Sequence, residues 1–330
     1  GCGLELGPRF VENLLGFVQR NDVDGHVVAG RGLARQARRQ DSLPGGEAAG
    51  RVRQHPDVVA AVEAAVGEDG PPVVVLMFDA LPTASLLDGE GGIDADLYPN
   101  LAGLAGDGTW YRNHTTVAQD TVHAVPAALS GTMPEERGTP PVASSYPENL
   151  FTLLGGAYEL DIQEQVTALC PDSLCPDATG GGWRPLLADG RELWEQSLER
   201  NPSRAGLPGA FESRYDDFEQ WVGATDFAVA RQGPAAYFYH VLMPHDPWTR
   251  LPGGVRYDAS MPAEGQFAGV WGPAGADVGF QRQVLQTQVI DEQVGRLVER
   301  MEAAGVYEEA LVVLTADHGY GFEDGSLVRG

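Results

Sequence analysis

Two strand-like runs of this chain each end on side chains that could bind a metal ion. Residues 73–78 lead directly into Asp79, and the run that begins at residue 311 leads into Asp317 and His318. The carboxyl ends of parallel strands share one edge of an open α/β sheet, which is where such sheets keep their chemistry. The pattern therefore predicts one divalent metal site on Asp79, Asp317 and His318. Oxygen and imidazole ligands suit Mn²⁺, Zn²⁺, Mg²⁺ or Ca²⁺, and the sequence does not choose among these ions.

Thr121 lies between these two runs and is the candidate nucleophile. We predict a helix over residues 121–130, which places the hydroxyl of Thr121 in the positive end of the helix dipole, beside unpaired N–H groups. A metal at that point would stabilise the alkoxide and polarise a phosphoryl oxygen. The structural alternative is that Thr121 simply caps the helix, because Thr is a common N-cap residue.

His245 lies in a Pro-His-Asp-Pro-Trp loop that follows a predicted strand at residues 235–242. Pro244 and Pro247 stiffen this loop, so we expect His245 to donate to a substrate oxygen or to act as a general acid. A loop histidine bonded to the backbone is the alternative. Trp248, at the end of the loop, is a further candidate for substrate contact.

Two other histidines accompany these segments. His123 falls one turn into the predicted helix, so it is a candidate for substrate contact if it faces the site. His240 belongs to the strand before the loop, and we expect it to pack in or near that strand.

The bulk composition excludes one class of partner. The chain has 330 residues, a formal net charge of −25 and 22 basic residues, all of them Arg. Such an acidic chain repels phosphate backbones, so we expect no nucleic-acid partner. The apolar fraction of 43% is ordinary for a globular protein, and no run of about 18 apolar residues exists that would cross a membrane.

Cys170 and Cys175 can close a small loop in Cys-Pro-Asp-Ser-Leu-Cys. Two thiols alone make an incomplete zinc site, so we predict a local disulfide. A disulfide favours an oxidising compartment outside the cytoplasm. Two reduced thiols are the alternative.

Strands and helices alternate along most of the chain, which predicts an α/β fold with a mostly parallel central sheet flanked by helices. Residues 1–70 are weakly patterned and are interpreted as a lead-in or linker, and residues 71–330 as the catalytic domain, with its C-terminal part missing. Residues 173–209 are expected to form an irregular insertion. The predicted strands are 73–78, 158–165, 235–242 and 311–315, with short ones at 109–111 and 115–117, and the predicted helices are 57–66, 98–105, 121–130, 149–154, 211–230 and 280–301.

Several segments, in this order, resemble the sulfatase-like branch of the alkaline phosphatase superfamily over residues 72–325. They are the strand ending in Asp79, the Tyr-Pro-Asn-Leu helix at 98–101, the Thr121 segment, the Pro-His-x-Pro-Trp loop and the Ala-Asp-His-Gly turn at 316–319. The resemblance implies a metal held by Asp79, Asp317 and His318 that Thr121 also touches. It places His245 against the transferred group.

The runs at 151–156 and 167–171 further resemble membrane-tethered sulfatase-like proteins of actinobacteria. This resemblance implies an extracytoplasmic protein at the cell envelope, tethered to the membrane through segments outside residues 1–330. It also implies an envelope lipid or glycan as substrate.

The departures from the family pattern decide the expected reaction. Sulfatases carry Cys or Ser in Cys/Ser-x-Pro-x-Arg and oxidise it to formylglycine, whereas this frame reads Thr121-x-His123-x-Val125. Thr cannot become formylglycine, and the Arg is absent. A Thr nucleophile resembles instead phosphoethanolamine transferases, lipoteichoic acid synthases and nucleotide phosphodiesterases, which form a phospho-Thr intermediate. Ala80 stands where sulfatases usually place a second Asp, and the ligands of a second metal are incomplete, so we expect one metal.

The expected function is an extracytoplasmic, metal-dependent hydrolase or transferase of phosphate esters. One alternative is a sulfuric-ester hydrolase, which the frame suggests and Thr121 opposes. The other is a catalytically silent ectodomain that binds an envelope glycan or a partner, which the missing Arg and the missing second-metal ligands would fit.

Overall fold

The computed structural model describes residues 28–29, 56–133, 139–176, 208–257, 266–267 and 270–325. Most of the predicted lead-in and of the predicted insertion at 173–209 therefore lies outside the described residues. The strands, in chain order, are β1 Val28–Ala29, β2 Val73–Asp79, β3 Thr109–Trp110, β4 Glu159–Gln163, β5 Ala235–Pro244, β6 Arg250–Leu251, β7 Val255–Arg256, β8 Gln266–Phe267, β9 Val270–Trp271 and β10 Leu311–Ala316.

Six of these strands form the central sheet, in the order β3-β1-β10-β2-β5-β4. The strands β10, β2, β5 and β4 run parallel, while β1, at one side of the sheet, is antiparallel to both of its neighbours, β10 and β3. Every residue of β2 and β5 is buried. Continuous apolar runs of this kind are typical of parallel strands that are covered on both faces.

The α-helices are α1 Pro56–Val66, α2 Pro99–Asp107, α3 Thr121–Ser130, α4 Leu150–Leu154, α5 Pro208–Ala224 and α6 Pro273–Ala304. They form a layer on each face of the sheet. On one face α2, α5 and α6 contribute to a core that includes Phe218 and Ile290. On the other face α1, α3 and α4 contribute to a second core that includes Val125 and Phe151. The predicted α/β architecture, a parallel sheet flanked by helices, is confirmed.

Three predicted elements are either missing from the structure or differ from it by six residues or more at one end. Residues 115–117 form no strand, because the hydroxyl of Thr116 bonds both the N–H and the C=O of Ala118 in a local turn. Helix α5 ends at Ala224, six residues before the predicted end at residue 230. Helix α6 begins at Pro273, seven residues before the predicted start at residue 280, with Gly272 as its N-cap and Pro273 in its first turn.

Cys170 and Cys175 are joined by a disulfide bond. The buried carboxylate of Glu164 accepts hydrogen bonds from the N–H groups of Leu169 and Cys170, at 2.8 Å each. It also accepts from the hydroxyl of Thr167, at 2.5 Å. The loop is therefore closed by a covalent bond and organised from within by one carboxylate.

Asp291 of α6 caps the start of α2, although nearly two hundred residues separate them. Its Oδ1 accepts from the N–H of Leu101 at 2.7 Å, and its Oδ2 accepts from the side-chain amide of Asn100 at 2.7 Å. The residue at the N-cap position itself, Tyr98, makes no capping bond with its side chain. The carboxylate also favours the positive end of the α2 dipole, so this contact docks α2 onto α6.

We expect Asp291→Ala to destabilise the fold by about 2–4 kcal/mol, because it leaves buried donors without an acceptor. Chemical denaturation measures the free energy of unfolding. The control is Glu302→Ala, at an exposed position of the same helix, which should change that free energy by less than about 0.5 kcal/mol. Equal effects of the two variants would show that the cap does not stabilise the fold.

Candidate metal and nucleophile site

Asp79 and Asp317 lie side by side at the carboxyl edge of the sheet. Their strands are neighbours in parallel register, with Phe78 opposite Ala316, so both strands deliver a carboxylate to the same place. One donor atom each from Asp79, Asp317 and His318 lies within 4.8 Å of the other two, and all three residues are buried. Among the residues that the structure describes, this is the one group of three or more such side chains that could hold a metal ion.

The backbone fixes one oxygen of Asp317 and leaves the other to the site. Its Oδ1 accepts from the N–H of Ala80 at 3.1 Å and from the N–H of His318 at 2.6 Å. Its Oδ2 is buried and has no hydrogen-bond partner among the described residues. A buried carboxylate oxygen without a partner is costly, so this atom is suited to a cation.

A tight turn at this edge falls at Ala80, directly after β2. Ala80 has φ 58°, in the left-handed region that non-glycine residues rarely adopt. Gly319 has no positive φ, and a Cβ added there would make only an ordinary contact, at 3.9 Å, with Pro82. The turn at Ala80 aims its N–H at Asp317, so it links the ends of the two strands.

His318 presents a nitrogen lone pair to the two carboxylates. Its Nδ1 lies 2.8 Å from the carbonyl oxygen of Gly319, and a carbonyl only accepts, so Nδ1 carries the proton. In the neutral ring Nε2 therefore bears the lone pair, and it lies 3.4 Å from Oδ1 of Asp79 and 3.8 Å from Oδ2 of Asp317. A lone pair and two carboxylates that face one another are stabilised by a cation between them.

The pKa shifts of Asp79 and Asp317 also favour a cation at this site. Burial raises the pKa of Asp79, and the charge of Asp317 raises it further. Burial also acts to raise the pKa of Asp317, but the charges that His318 and His240 carry when protonated hold that pKa below its ordinary value. Two adjacent buried carboxylates can both stay ionised only if opposite charge compensates them. The donor set therefore fits a single divalent ion such as Mn²⁺, Zn²⁺, Mg²⁺ or Ca²⁺.

Thr121 is brought to this group by the start of α3. Its Oγ1 lies 3.5 Å from Oδ1 of Asp79 and 3.4 Å from Nε2 of His318. The helix cap is Asp120, whose side chain accepts from the N–H of His123, so Thr121 is the first helical residue and its hydroxyl is not the cap. The structural alternative for Thr121 is therefore wrong. His123 lies in the first turn of α3 with its Nδ1 bonded to the carboxylate of Asp120.

His245 is held in a firmly bonded loop. Its Nδ1 donates to the carbonyl oxygen of Asp246 at 2.6 Å, while the Asp246 carboxylate accepts from the hydroxyl of Tyr320 at 3.0 Å. The side chain of Asp246 thus supports the loop, and it is not part of the metal-binding group. His245 is close enough to Asp79 for its charge to act against the upward pKa shift of that carboxyl.

Trp248 does not have the surroundings of a substrate contact. It is 2% exposed, its ring stacks on Trp271, and its N–H donates to the carbonyl of Pro244 and to Oε1 of Gln283. Burial and a satisfied N–H give it a packing role beneath the loop, and the expectation that it touches a ligand has no support in this geometry.

Two glutamines of α6 complete the site, and the sequence analysis missed them. Gln283 donates to the carbonyl of Ala80 at 2.7 Å, and Gln286 donates to the carbonyl of His245 at 3.0 Å and accepts from the N–H of Thr249 at 3.1 Å. Both side chains are completely buried. The available signal was two uncharged polar residues, three apart, within the apolar stripe of a helix.

His240, which the sequence placed in or near a strand, belongs to β5 and is completely buried. Its Nε2 lies 3.8 Å from Oδ2 of Asp317. The structure thus brings Asp79, Asp317, His318 and Thr121 together, with His240 behind them.

The model of the family described as Sulfatase matches residues 71–330 of this chain. The chain belongs to the sulfatase family. This confirms the resemblance to the sulfatase-like branch of the superfamily. A search of curated proteins found no match.

Similar solved structures include a 2-O GAG sulfatase, BT1596, at 13% identity and a TM-score of 0.47, and the protein yidJ from Bacteroides fragilis, at 15% identity and a TM-score of 0.49. The matches cover 79% and 78% of this chain but 60% and 64% of those two chains. The sulfatase-family chain described here therefore spans less than two thirds of the length of these proteins.

We expect Gln286→Leu to loosen the His245 loop, because it removes one acceptor and one donor that are both buried. The amide of Thr249 should exchange about ten-fold faster in hydrogen-exchange mass spectrometry, with metal affinity unchanged. Gln281→Leu, at an exposed position of the same helix, is the matched control and should leave exchange in the loop as in the wild type. Unchanged exchange in both variants would contradict the role of Gln286.

Proposed function

We propose that this chain carries the metal ligands and the nucleophile of a hydrolase or transferase of phosphate esters, with Thr121 as the attacking group. The observation that carries the proposal is the position of the Thr121 hydroxyl, within 3.5 Å of Asp79 and 3.4 Å of His318, at the first residue of a helix. A hydroxyl nucleophile needs activation, and a cation held by the ligand group would favour its alkoxide, as does the helix N-terminus.

Each residue then has a distinct role. A divalent ion held by Asp79, Asp317 and His318, when bound, would lower the pKa of the Thr121 hydroxyl and neutralise charge that develops on the ester. The first N–H groups of α3 attract the anionic ester, and His245 steadies its oxygens or protonates the leaving group. Thr121 attacks phosphorus, and water or a second alcohol then releases the phosphoryl group from Thr121. The choice between water and alcohol distinguishes a hydrolase from a transferase.

A sulfuric-ester hydrolase is the second candidate, and the family match over residues 71–330 favours it. The same ligand group would serve a sulfate ester, whose tetrahedral oxyanion resembles phosphate. The residue that opposes this candidate is Thr121, because Thr cannot become the formylglycine of sulfatases. A catalytically silent binding domain remains the third candidate.

We further propose an extracytoplasmic protein of the cell envelope, membrane-associated through segments outside residues 1–330, that acts on an envelope lipid or glycan. The disulfide between Cys170 and Cys175 supports an oxidising compartment. Within the described residues, none of the helices combines the length and the apolar character needed to cross a bilayer.

The test is an assay of the full chain on nitrophenyl phosphate monoester, phosphate diester and sulfate ester, with Mn²⁺ or Zn²⁺ and after chelation. We expect turnover of a phosphate ester that chelation abolishes. Thr121→Ala should reduce kcat by about a thousand-fold or more, because it removes the nucleophile. The matched control is Thr132→Ala, beyond the far end of α3, which should keep wild-type turnover.

The other outcomes assign the other candidates. Turnover of the sulfate ester alone would favour the sulfuric-ester hydrolase. Turnover that survives Thr121→Ala would remove Thr121 from the mechanism. No turnover of any ester by protein that binds metal would favour the silent binding domain.

A further inference from the structure

His240 lies in β5, close to the carboxyl edge of the sheet. It pairs with Met77 of β2, which in turn pairs with Thr315 of β10, so it lies one row before the carboxyl edge. Side chains alternate between the faces of a strand. Phe238, two residues before His240, and Met77 belong to the core on the α3 side, and this places His240 on the face that also carries Asp79 and Asp317.

Burial of the His240 imidazole at this position costs free energy because it desolvates a polar ring. It is completely buried, and neither of its ring nitrogens has a hydrogen-bond partner among the described residues. Its neighbours along the strand, Tyr239 and Val241, pack in the opposite core. A Met or Leu at this position would fill the space without the cost of desolvating a polar ring. Stability alone therefore does not explain a histidine at position 240.

A carboxylate oxygen close to this ring also lacks a hydrogen-bond partner among the described residues. Nε2 of His240 lies 3.8 Å from Oδ2 of Asp317, the carboxylate oxygen that has no hydrogen-bond partner among the described residues. The other oxygen, Oδ1, is fixed by the N–H groups of Ala80 and His318. With Oδ1 fixed, the carboxylate group can still change the direction in which Oδ2 points. His240 faces Oδ2 from the side of the core.

We propose that His240 is a positioning residue that fixes Oδ2 of Asp317 for metal binding and so sets the metal affinity of the site. This inference rests on the proposed function, since it requires the metal site. Carboxylates that bind metals are themselves held by polar partners, and loss of such a partner typically weakens metal affinity by about 10–100-fold. His240 supplies that partner from β5, a strand that contributes no ligand of its own to the group.

The experiment compares His240→Met with His240→Gln in the full chain. Met removes the ring nitrogens at similar volume, whereas the Gln amide can place an N–H near the position of Nε2. Isothermal titration calorimetry with Mn²⁺ measures the Kd for the metal, and thermal unfolding of the metal-free protein measures the Tm. We expect His240→Met to raise the Kd by about 10–100-fold while the metal-free Tm stays unchanged or rises, and His240→Gln to recover most of the affinity.

The controls separate this proposal from the metal site itself. Tyr239→Phe, on the opposite face of the same strand, should keep the wild-type Kd, and Asp79→Asn should abolish Mn²⁺ binding. A wild-type Kd in His240→Met would overturn the positioning role. So would an affinity loss that Gln fails to recover and that a fall in the metal-free Tm accompanies, because a packing role predicts that pattern. If the wild type binds none of Mn²⁺, Zn²⁺, Mg²⁺ or Ca²⁺, the proposed function fails first, and the role of His240 fails with it.

Discussion

The structure depends on the placement of two carboxylates next to each other inside the protein. Asp79 and Asp317 lie at the ends of adjacent parallel strands, and the register of these strands keeps the two residues side by side. Repulsion between them, added to the cost of burial, must be compensated locally. The compensation available within the described chain comes from backbone N–H groups on one oxygen and from histidines around the rest. A divalent cation would complete it, and that requirement explains why His318 and Thr121 converge on the same point.

The fold and the ligand group could be predicted from the sequence because both follow from local patterns. A buried strand is recognisable from an unbroken apolar run, and the residue after such a run lies at the edge of the sheet. Asp79 and Asp317 were identifiable in this way without knowledge of the strand order. Thr121 was identifiable because it begins a segment with helical spacing, although the sequence alone did not distinguish it from a cap.

The rest of the site depends on distances that sequence patterns do not encode. His240 and Asp317 are 77 residues apart, and only the strand order β10-β2-β5 and its register bring them to one face. Gln283 and Gln286 act on loops that precede them by 203 and 41 residues. The role of Trp248 is open in the sequence, since an aromatic residue beside a candidate catalytic histidine could either face a ligand or support the loop from below, and its burial among Trp271 and Tyr320 favours support.

Helix α6 sets the spacing between three parts of the site. Gln283, Gln286 and Asp291 project from a stretch that is roughly 12 Å long at 1.5 Å per residue, and they hold the Ala80 turn, the His245 loop and the start of α2. A residue inserted or deleted between positions 283 and 291 would rotate one set of contacts by about 100° relative to the others. This stretch of α6 should therefore be free of insertions and deletions in any homologue that keeps the same site.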